Sequence, residues 1–427
     1  MKKLVCLIFS LILILPSGVC FAFPEIKADC AIVALTDGQQ IVYSKNPEKK
    51  ISPSGLTKLF AALTAYDLKD INETVIVDEN ITEYVSPYEI SARLQPGEML
   101  SLYDLLGALV VGSANDAAYQ TAITCSGSEE ALVEKMNAKA KALGLKNTRF
   151  TNVTGFYDEN QYVCASDMLT VYRKIYENEA LKKLVNRRSW VIEPTNVSKR
   201  RTFWSNNHLI NTYYETKYFY SYAASGKISS SSEGGCSAVT TASKGGMNLM
   251  CIILNSPLDS GINYSLVDSK NLYEYVFENY TPVTVVKENE LMCESKLKNA
   301  SGASYVLVNA KTQLKGIVKK GDGTDKIEKK LNIPEALSAP LEKGQKVGTA
   351  SFSYDGNTVG SVNLTVGDDI SFNPVKYAFN GVGWFFGLKI VRTVIAVVVL
   401  LFIILAASFV YYVNKAQKKR VKRRNRK

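Results

Sequence analysis

Hydrophobic residues follow two different spacings along the first two thirds of the chain. Apolar runs at 31–35 and 40–43 flank Asp37-Gly38, a pair that favours a tight turn, and so predict a β-hairpin. Short apolar runs at 237–242 and 248–254 predict two further strands. Apolar residues at helical spacing predict helices at 54–67, at 101–124 in two pieces, and at 129–143, 166–177, 179–185 and 267–278.

The arrangement of these elements predicts the fold class. Strands near both ends with helices between them indicate an α/β (α+β) domain over 23–280, in which 186–226 is an irregular polar stretch before the strands. The helical period then disappears. Short strands and Lys-rich turns predict a small all-β sandwich domain over 281–371, followed by a juxtamembrane linker at 372–392.

The N-terminal segment has the pattern of a secretory signal. Lys2 and Lys3 precede an apolar run at 4–15, and small residues stand at the positions that a signal peptidase inspects before a cut after residue 22. Residues 1–22 are therefore predicted to be a signal peptide. The alternatives are an uncleaved anchor and, with less support, a lipoprotein anchored through Cys20.

The C-terminal segment predicts one transmembrane helix. Residues 393–413 carry no charge, and at ~1.5 Å per residue they span about 31 Å, the thickness of a bilayer core. Residues 414–427 hold nine Lys and Arg and no acid. The positive-inside bias then places this tail in the cytoplasm and the ectodomain on the outer side of the cell membrane.

The net charge of +11 comes from the two ends of the chain. Lys2, Lys3 and the C-terminal tail contain eleven cations, so the remaining 40 Lys and Arg equal the 40 Asp and Glu. A neutral body gives poor support to nucleic-acid binding. The charge therefore points to a membrane.

The cysteine and histidine patterns disfavour a metal site. Six cysteines follow the signal, none in a C-x-x-C pair, and His208 is the one histidine in the chain. We expect no metal and no cofactor. Mostly buried free thiols are favoured, with one disulfide left open.

Three short segments carry the candidate chemistry. Pro53-Ser54-Gly55-Leu56-Thr57-Lys58 opens the first helix, Ser113-Ala114-Asn115 lies between two helical pieces, and Lys227-Ile228-Ser229 precedes the strand pair. In this order they resemble the low-molecular-weight penicillin-binding proteins, the serine D-alanyl-D-alanine carboxypeptidases, whose motifs are S-x-x-K, S-x-N and K-T-G. Similar stretches extend over nearly all of 28–370, among them 136–148, 165–168 and 339–348.

The resemblance implies a fold, a substrate and a role for each matching residue. It implies a β-lactamase/transpeptidase-like domain acting on the peptidoglycan stem peptide through an acyl-enzyme. Lys58 would share the proton of the attacking serine one helical turn away, and Ser113 would pass protons. Asn115 would hold the substrate amide, Lys227 would bind the terminal carboxylate, and Ser229 would line the substrate.

The chain departs from this pattern at the nucleophile. Aligning Leu56-Thr57-Lys58 with the family's L-T-K puts Gly55 at the serine position. Ser54 stands one residue early, so its side chain would leave the helix about 100° around from the direction that the nucleophile requires. In motif three, Ile228 and Ser229 replace Thr and Gly. The S-x-x-K at 295–298 lies in the predicted β domain, away from partner motifs, and is interpreted as chance.

Several functions remain open from the sequence. The chain is either a carboxypeptidase with impaired turnover, an inactive homologue that binds stem peptides or scaffolds wall-synthesis partners, or a structural spacer of the wall. The motif residues could also be relics that only cap helices or pack. A Ser-His-Asp triad would need His208 as its base, but no G-x-S-x-G accompanies it, so a loop histidine is the favoured interpretation.

Overall fold

The computed structural model describes residues 23–213, 215–378 and 388–424. The predicted signal peptide at 1–22 and part of the predicted linker lie outside these residues. The chain forms two compact units. The first contains the residues up to 286 together with 314–330 and 351–361, and the second contains the remainder.

Nineteen strands and eight α-helices run through the described residues, in the following order along the chain. The strands of the first part are β1 (Cys30–Leu35), β2 (Ile41–Lys45), β3 (Thr74–Ile76), β4 (Met99–Ser101), β5 (Ser189–Ile192), β6 (Arg201–Trp204), β7 (Ala223–Ser231), β8 (Gly235–Lys244), β9 (Met247–Ser256), β10 (Leu258–Asp259), β11 (Ile262–Asn263) and β12 (Tyr280–Val286). The later strands are β13 (Leu291–Lys298), β14 (Tyr305–Ala310), β15 (Leu314–Lys319), β16 (Glu328–Asn332), β17 (Ala336–Ser338), β18 (Lys346–Tyr354) and β19 (Asn357–Val366). The helices are α1 (Thr57–Leu68), α2 (Leu102–Val110), α3 (Asn115–Ser126), α4 (Glu129–Ala142), α5 (Ala165–Glu177), α6 (Glu179–Val185), α7 (Tyr264–Asn279) and α8 (Lys389–Arg424).

A five-stranded sheet in the order β2-β1-β9-β8-β7 forms the centre of the first unit. The predicted hairpin is confirmed, since β1 pairs antiparallel with β2, with Val33 opposite Tyr43. The N- and C-terminal parts of the unit meet where β1 also pairs with β9. Strand β7 is the edge of this sheet, with β8 as its one neighbour.

Alternation along the central strands gives the sheet two buried faces. Ile32 and Ile252 contribute to one hydrophobic cluster, which includes residues of helices α1 to α6. Val33 and Cys251, on the opposite face, pack in a second cluster with residues of α7. Because side chains of successive residues point to opposite faces, each strand supplies both layers. The result is the predicted α/β arrangement, a sheet with helices on both sides.

The segment 186–226 is more regular than its sequence suggests. It contains the paired strands β5 and β6 and the beginning of β7, which the sequence does not predict. Lys227 to Ser229 precede the β8–β9 pair and themselves lie within β7, with Lys227 opposite Val239 of β8. The residues of β7 are mostly small or polar, so they lack the hydrophobic alternation that marks a strand.

All six cysteines in the described residues are free thiols, as favoured from the sequence. The register of the β8–β9 pair explains why two of them do not bond. Cys236 lies opposite Ser256, whereas Cys251 lies opposite Thr240.

The second unit is built from β-structure and continues into a long helix. Strand β13 pairs antiparallel with β14 and parallel with β17, and the end of β19 pairs with β14. The S-x-x-K at 295–298 lies on strand β13 and not at the start of a helix. Helix α8 contains the predicted span 393–413, and its stretch Lys389–Arg420 is long and apolar enough to cross a membrane.

Helix α2 depends on a glycine that allows close packing. A Cβ atom on Gly107 would overlap the indole nitrogen of Trp190. We expect Gly107→Ala to destabilise the first unit by about 1–3 kcal/mol, although alanine is the better helix former by ~1 kcal/mol. Thermal unfolding of the detergent-solubilised protein measures this, and the double variant Gly107→Ala/Trp190→Leu should lose less than the sum of its two single changes. A higher unfolding temperature for Gly107→Ala would contradict this description of the packing.

Candidate functional site

The first motif forms a tight turn into helix α1. Residues Ser54–Leu56 make one turn of 3₁₀-helix, and α1 begins at Thr57. Ser54 has a backbone φ of 48°, a value that residues other than glycine rarely adopt, and it is buried. Gly55 has no side chain, and its φ lies outside the left-handed region, so the backbone at 55 would accept a serine.

A second glycine lets another loop approach this turn. Gly155 has a φ of 88°, and a Cβ atom on it would overlap the carbonyl oxygen of Ser54. The loop at 152–156 therefore lies directly against the start of α1.

Lys58 lies one helical turn beyond Gly55 and is buried, with 4% of its surface exposed. Its ammonium donates a hydrogen bond of 2.6 Å to the carbonyl oxygen of Thr154. Burial lowers the pKa of Lys58 to about 8, and the nearby charge of Glu89 opposes this effect. Among the described residues, no hydroxyl forms a hydrogen bond with this amine.

The second motif lies between helices α2 and α3. Ser113 adopts a φ of 56°, and Asn115 is the first residue of α3. The Asn115 side-chain amide donates a hydrogen bond of 2.7 Å to the Glu89 carboxylate. The amide of a motif-two asparagine is thus already occupied by an acidic residue of the same chain.

The third motif supplies another buried amine. Lys227 on β7 is 1% exposed and donates to the Val110 carbonyl oxygen at 2.9 Å and to the Ser113 hydroxyl. Burial, and secondarily the charge of Lys58, hold the pKa of Lys227 well below its usual value. The charge of Lys58 therefore adds to burial in disfavouring the charged form of Lys227.

The hydroxyl of Ser229 lies beside Gly55, which has no side chain. It accepts a hydrogen bond of 2.8 Å from the Gly55 backbone NH and donates one of 2.7 Å to the Ser54 hydroxyl. A Cβ atom on Gly55 would lie 3.3 Å from the Ser229 hydroxyl oxygen. The hydroxyl therefore lies within van der Waals reach of the place where a residue-55 side chain would begin.

The structure places the seven predicted site residues in two groups of contacts. Hydrogen bonds link Ser54, Gly55 and Ser229, and a further bond links Ser113 and Lys227. Electrostatic interaction relates Lys58 to Lys227, and Glu89 connects Lys58 with Asn115. The ring of His208 lies 6.4 Å from that of Tyr218.

Sequence reasoning missed two contributors, Thr154 and Glu89. Thr154 acts through its backbone carbonyl oxygen, which no residue-type pattern can reveal. Glu89 lies in a stretch predicted only as short strands and loops. Its one sequence signal is a carboxylate in a segment that precedes motif two.

The arrangement can bind an anion or a peptide carbonyl group. The site contains two buried amines, one side-chain amide and three hydroxyls, and such groups bind carboxylates and carbonyl oxygens. Among the described residues, no group of three or more His, Cys, Asp or Glu could hold a metal ion.

Comparison with known proteins identifies the family of both parts of the chain. The family profile described as D-alanyl-D-alanine carboxypeptidase matches residues 19–257, and the profile of the penicillin-binding protein 5 C-terminal domain matches 280–371. The D-alanyl-D-alanine carboxypeptidase DacF of Bacillus subtilis is 26% identical over 347 residues, covering 81% of this chain and 86% of DacF. The D-alanyl-D-alanine carboxypeptidase DacC of Escherichia coli is 24% identical over 369 residues, which cover 81% of this chain and 85% of DacC.

Solved structures share the fold. Penicillin-binding protein 5 from Haemophilus influenzae aligns with a TM-score of 0.68 at 24% identity, over 82% of this chain and 99% of that one. A peptidoglycan synthesis regulatory factor from Streptococcus pneumoniae aligns with a TM-score of 0.67 at 19% identity, over 82% of this chain and all of that one. Because the carboxypeptidase profile alone matches more than half of its length, this chain belongs to the D-alanyl-D-alanine carboxypeptidase family, the low-molecular-weight penicillin-binding proteins.

Proposed function

We propose that this protein binds D-alanyl-D-alanine stem peptides of peptidoglycan at the outer surface of the cell membrane, with little or no serine-type turnover. The observation that carries the proposal is the absence of a side chain at residue 55, next to a cleft that still holds Lys58, Asn115 and Lys227. Binding needs the amines and the amide. Turnover needs, in addition, a hydroxyl coupled to a base.

Removing the nucleophile lowers the reaction rate by more than the neighbouring groups can restore. Removing the serine of a serine protease costs ~10⁶-fold in rate, about 8 kcal/mol of barrier. Ser54 is the nearest replacement, but its hydroxyl bonds to Ser229 whereas the Lys58 amine bonds to Thr154. The Gly55 NH, a backbone donor at this turn, is also engaged by Ser229.

Trimming of pentapeptide stems is the second candidate function. The observation that favours it is the Ser54 hydroxyl, which lies in the same hydrogen-bonded group as the motif-three residue Ser229. A shift of Ser54 toward the Lys58 amine would create the missing pair. This candidate and the first differ in whether a covalent acyl adduct forms.

We place the domains and the membrane as follows. Residues 23–280 form the peptide-binding domain, 281–371 the β domain and 393–413 the span, with 414–427 in the cytoplasm. Support for this orientation comes from nine cations without an acid in the tail. The binding cleft is then on the side where peptidoglycan lies.

A fluorescent penicillin distinguishes the two candidates. We expect no covalent labelling of the native protein, because residue 55 offers no oxygen. We expect labelling of the double variant Gly55→Ser/Ser229→Gly. The second substitution removes the Ser229 hydroxyl, which would lie close to the new side chain. Denaturing gel fluorescence measures the adduct, and Ser54→Ala is the matched control. Native labelling that disappears in Ser54→Ala would assign turnover to Ser54 and refute our alignment.

Lys227 tests whether the cleft binds peptide. Replacing it with methionine keeps most of the volume and removes the buried amine, so affinity for a fluorescent acyl-D-Ala-D-Ala peptide should fall about tenfold or more, the typical value of one charged hydrogen bond. Fluorescence anisotropy measures the affinity. Lys141→Met, at an exposed lysine of helix α4, should leave it unchanged. Equal affinity for the native protein and Lys227→Met would favour the relic or spacer interpretations.

The pKa of Lys58 predicts the pH dependence of binding. Lys58 is protonated below its pKa of about 8 and neutral above it, while a peptide carboxylate stays ionised over this range. Affinity for the peptide should therefore fall as the pH rises from 7 to 9. The same titration of Lys58→Met should lose this step. A step of equal size in Lys58→Met would assign the dependence to another group.

A further inference from the structure

Glu89 lies on the segment that precedes motif two, in hydrogen-bond contact with Asn115. Its carboxylate accepts the 2.7 Å hydrogen bond from the Asn115 side chain and a second bond of 3.2 Å from the Ser86 backbone NH. The Glu89 side chain is half-buried, and its negative charge favours the protonated form of Lys58. An acidic group of the chain itself thus holds the position where a peptide acceptor would meet Asn115.

The segment is fastened on one side of Glu89 and loosely held on the other. The Asp116 carboxylate accepts hydrogen bonds from the Ser91 hydroxyl at 2.6 Å and from the backbone NH groups of Ala92 and Leu94 at 2.7 and 3.0 Å. These bonds tie residues 91–94 to the start of helix α3. They form a fixed base for the residues before them.

The tip of the segment, residues 85–89, has few comparable contacts. Tyr88 is 99% exposed, and its backbone NH reaches only the Ser86 hydroxyl at 3.4 Å. A cavity of about 370 Å³ beneath the tip is lined by Val85, Ser86 and Glu89, among others. A segment with exposed side chains and local hydrogen bonds opens at low cost, so the tip can move while its base stays fixed.

The charges explain why Glu89 rests in the empty cleft. Lys58 and Lys227 are both buried and repel each other, and an unpaired buried ammonium is costly. The Glu89 carboxylate reduces this cost for Lys58. An incoming carboxylate would compensate Lys58 in place of Glu89.

We propose that Glu89 is a specificity-determining residue, a resident carboxylate that a peptide has to displace from Asn115, so that the cleft accepts ligands with a free C-terminal carboxylate and rejects uncharged ones. This inference rests on the proposed function, because it concerns the same peptide site. Ligand binding exchanges one anion for another. The Asn115 amide then passes from the Glu89 carboxylate to a carbonyl oxygen of the peptide.

The experiment compares two peptides on the full-length protein in detergent. Acyl-D-Ala-D-Ala and its C-terminal amide are titrated against the native protein, Glu89→Gln and Glu89→Ala, with Glu83→Gln as control at an exposed acidic residue of the same segment. We expect both Glu89 variants to bind the amide about tenfold more tightly than the native protein does, because no charge has to be displaced. The preference for the free carboxylate over the amide should therefore be smaller in both Glu89 variants than in the native protein.

Hydrogen exchange supplies a readout that affinity alone does not give. Binding of acyl-D-Ala-D-Ala to the native protein should speed amide exchange in the tip, residues 85–89, and leave 91–94 protected by Asp116. Unchanged peptide preference in Glu89→Gln and Glu89→Ala, with peptide binding intact, would overturn the role of Glu89 alone. Absence of binding of either peptide to every variant would overturn the proposed function together with this inference.

Discussion

Two buried lysine amines constrain the rest of the cleft. Removing an ammonium group from water is costly unless other groups replace its hydration, and here the replacements are backbone carbonyl oxygens. Lys58 uses the carbonyl oxygen of Thr154, and Lys227 uses that of Val110 together with the Ser113 hydroxyl. The loop at 152–156, the end of helix α2 and strand β7 must therefore meet at one place. The lowered pKa values of both lysines mean that this replacement is incomplete.

The Ser229 hydroxyl joins strand β7 to the start of helix α1 in a way that depends on Gly55. It binds the NH of Gly55 and the hydroxyl of Ser54 at once. A side chain at residue 55 would approach the same oxygen to 3.3 Å, so the two groups compete for one space. The residue types at 55 and 229 are thus physically coupled: a glycine at one position leaves room for a hydroxyl at the other.

Elements with strong hydrophobic periodicity could be predicted from the sequence alone. The β1–β2 hairpin and helices α2 and α3 lie within a few residues of their predicted bounds, because β1 is an unbroken apolar run before a turn, Ser101 caps the start of α2, and Gly127 ends α3. The sequence does not predict strand β7, since Gly226 and a run of serines replace the hydrophobic pattern. Small polar residues can line a cleft within a strand, and nothing local in the sequence distinguishes that from a loop.

The site could be predicted only as far as its side chains form a motif. Lys58, Ser113, Asn115 and Lys227 stand at recognisable spacings, and hydrogen bonds and charges relate them in the structure. Which group each amine bonds to depends on backbone atoms contributed by distant segments. The conformation of Ser54, with its φ of 48°, likewise follows from the loop at Gly155 pressing against its carbonyl.

The cost of the buried amines also separates binding from a purely structural role. Apolar side chains of similar volume at positions 58 and 227 would pack without desolvating a charge, and replacing buried charged groups in this way often stabilises a protein. As contributors to folding alone, Lys58 and Lys227 are therefore poor choices, since burial disfavours the charged form of both and the charge of Lys58 adds to this effect at Lys227. An anion entering between them reverses the sign of that contribution, because it compensates both amines at once. The arrangement that weakens the empty cleft is the one that favours a carboxylate ligand, and it does so whether or not an oxygen nucleophile stands at residue 55.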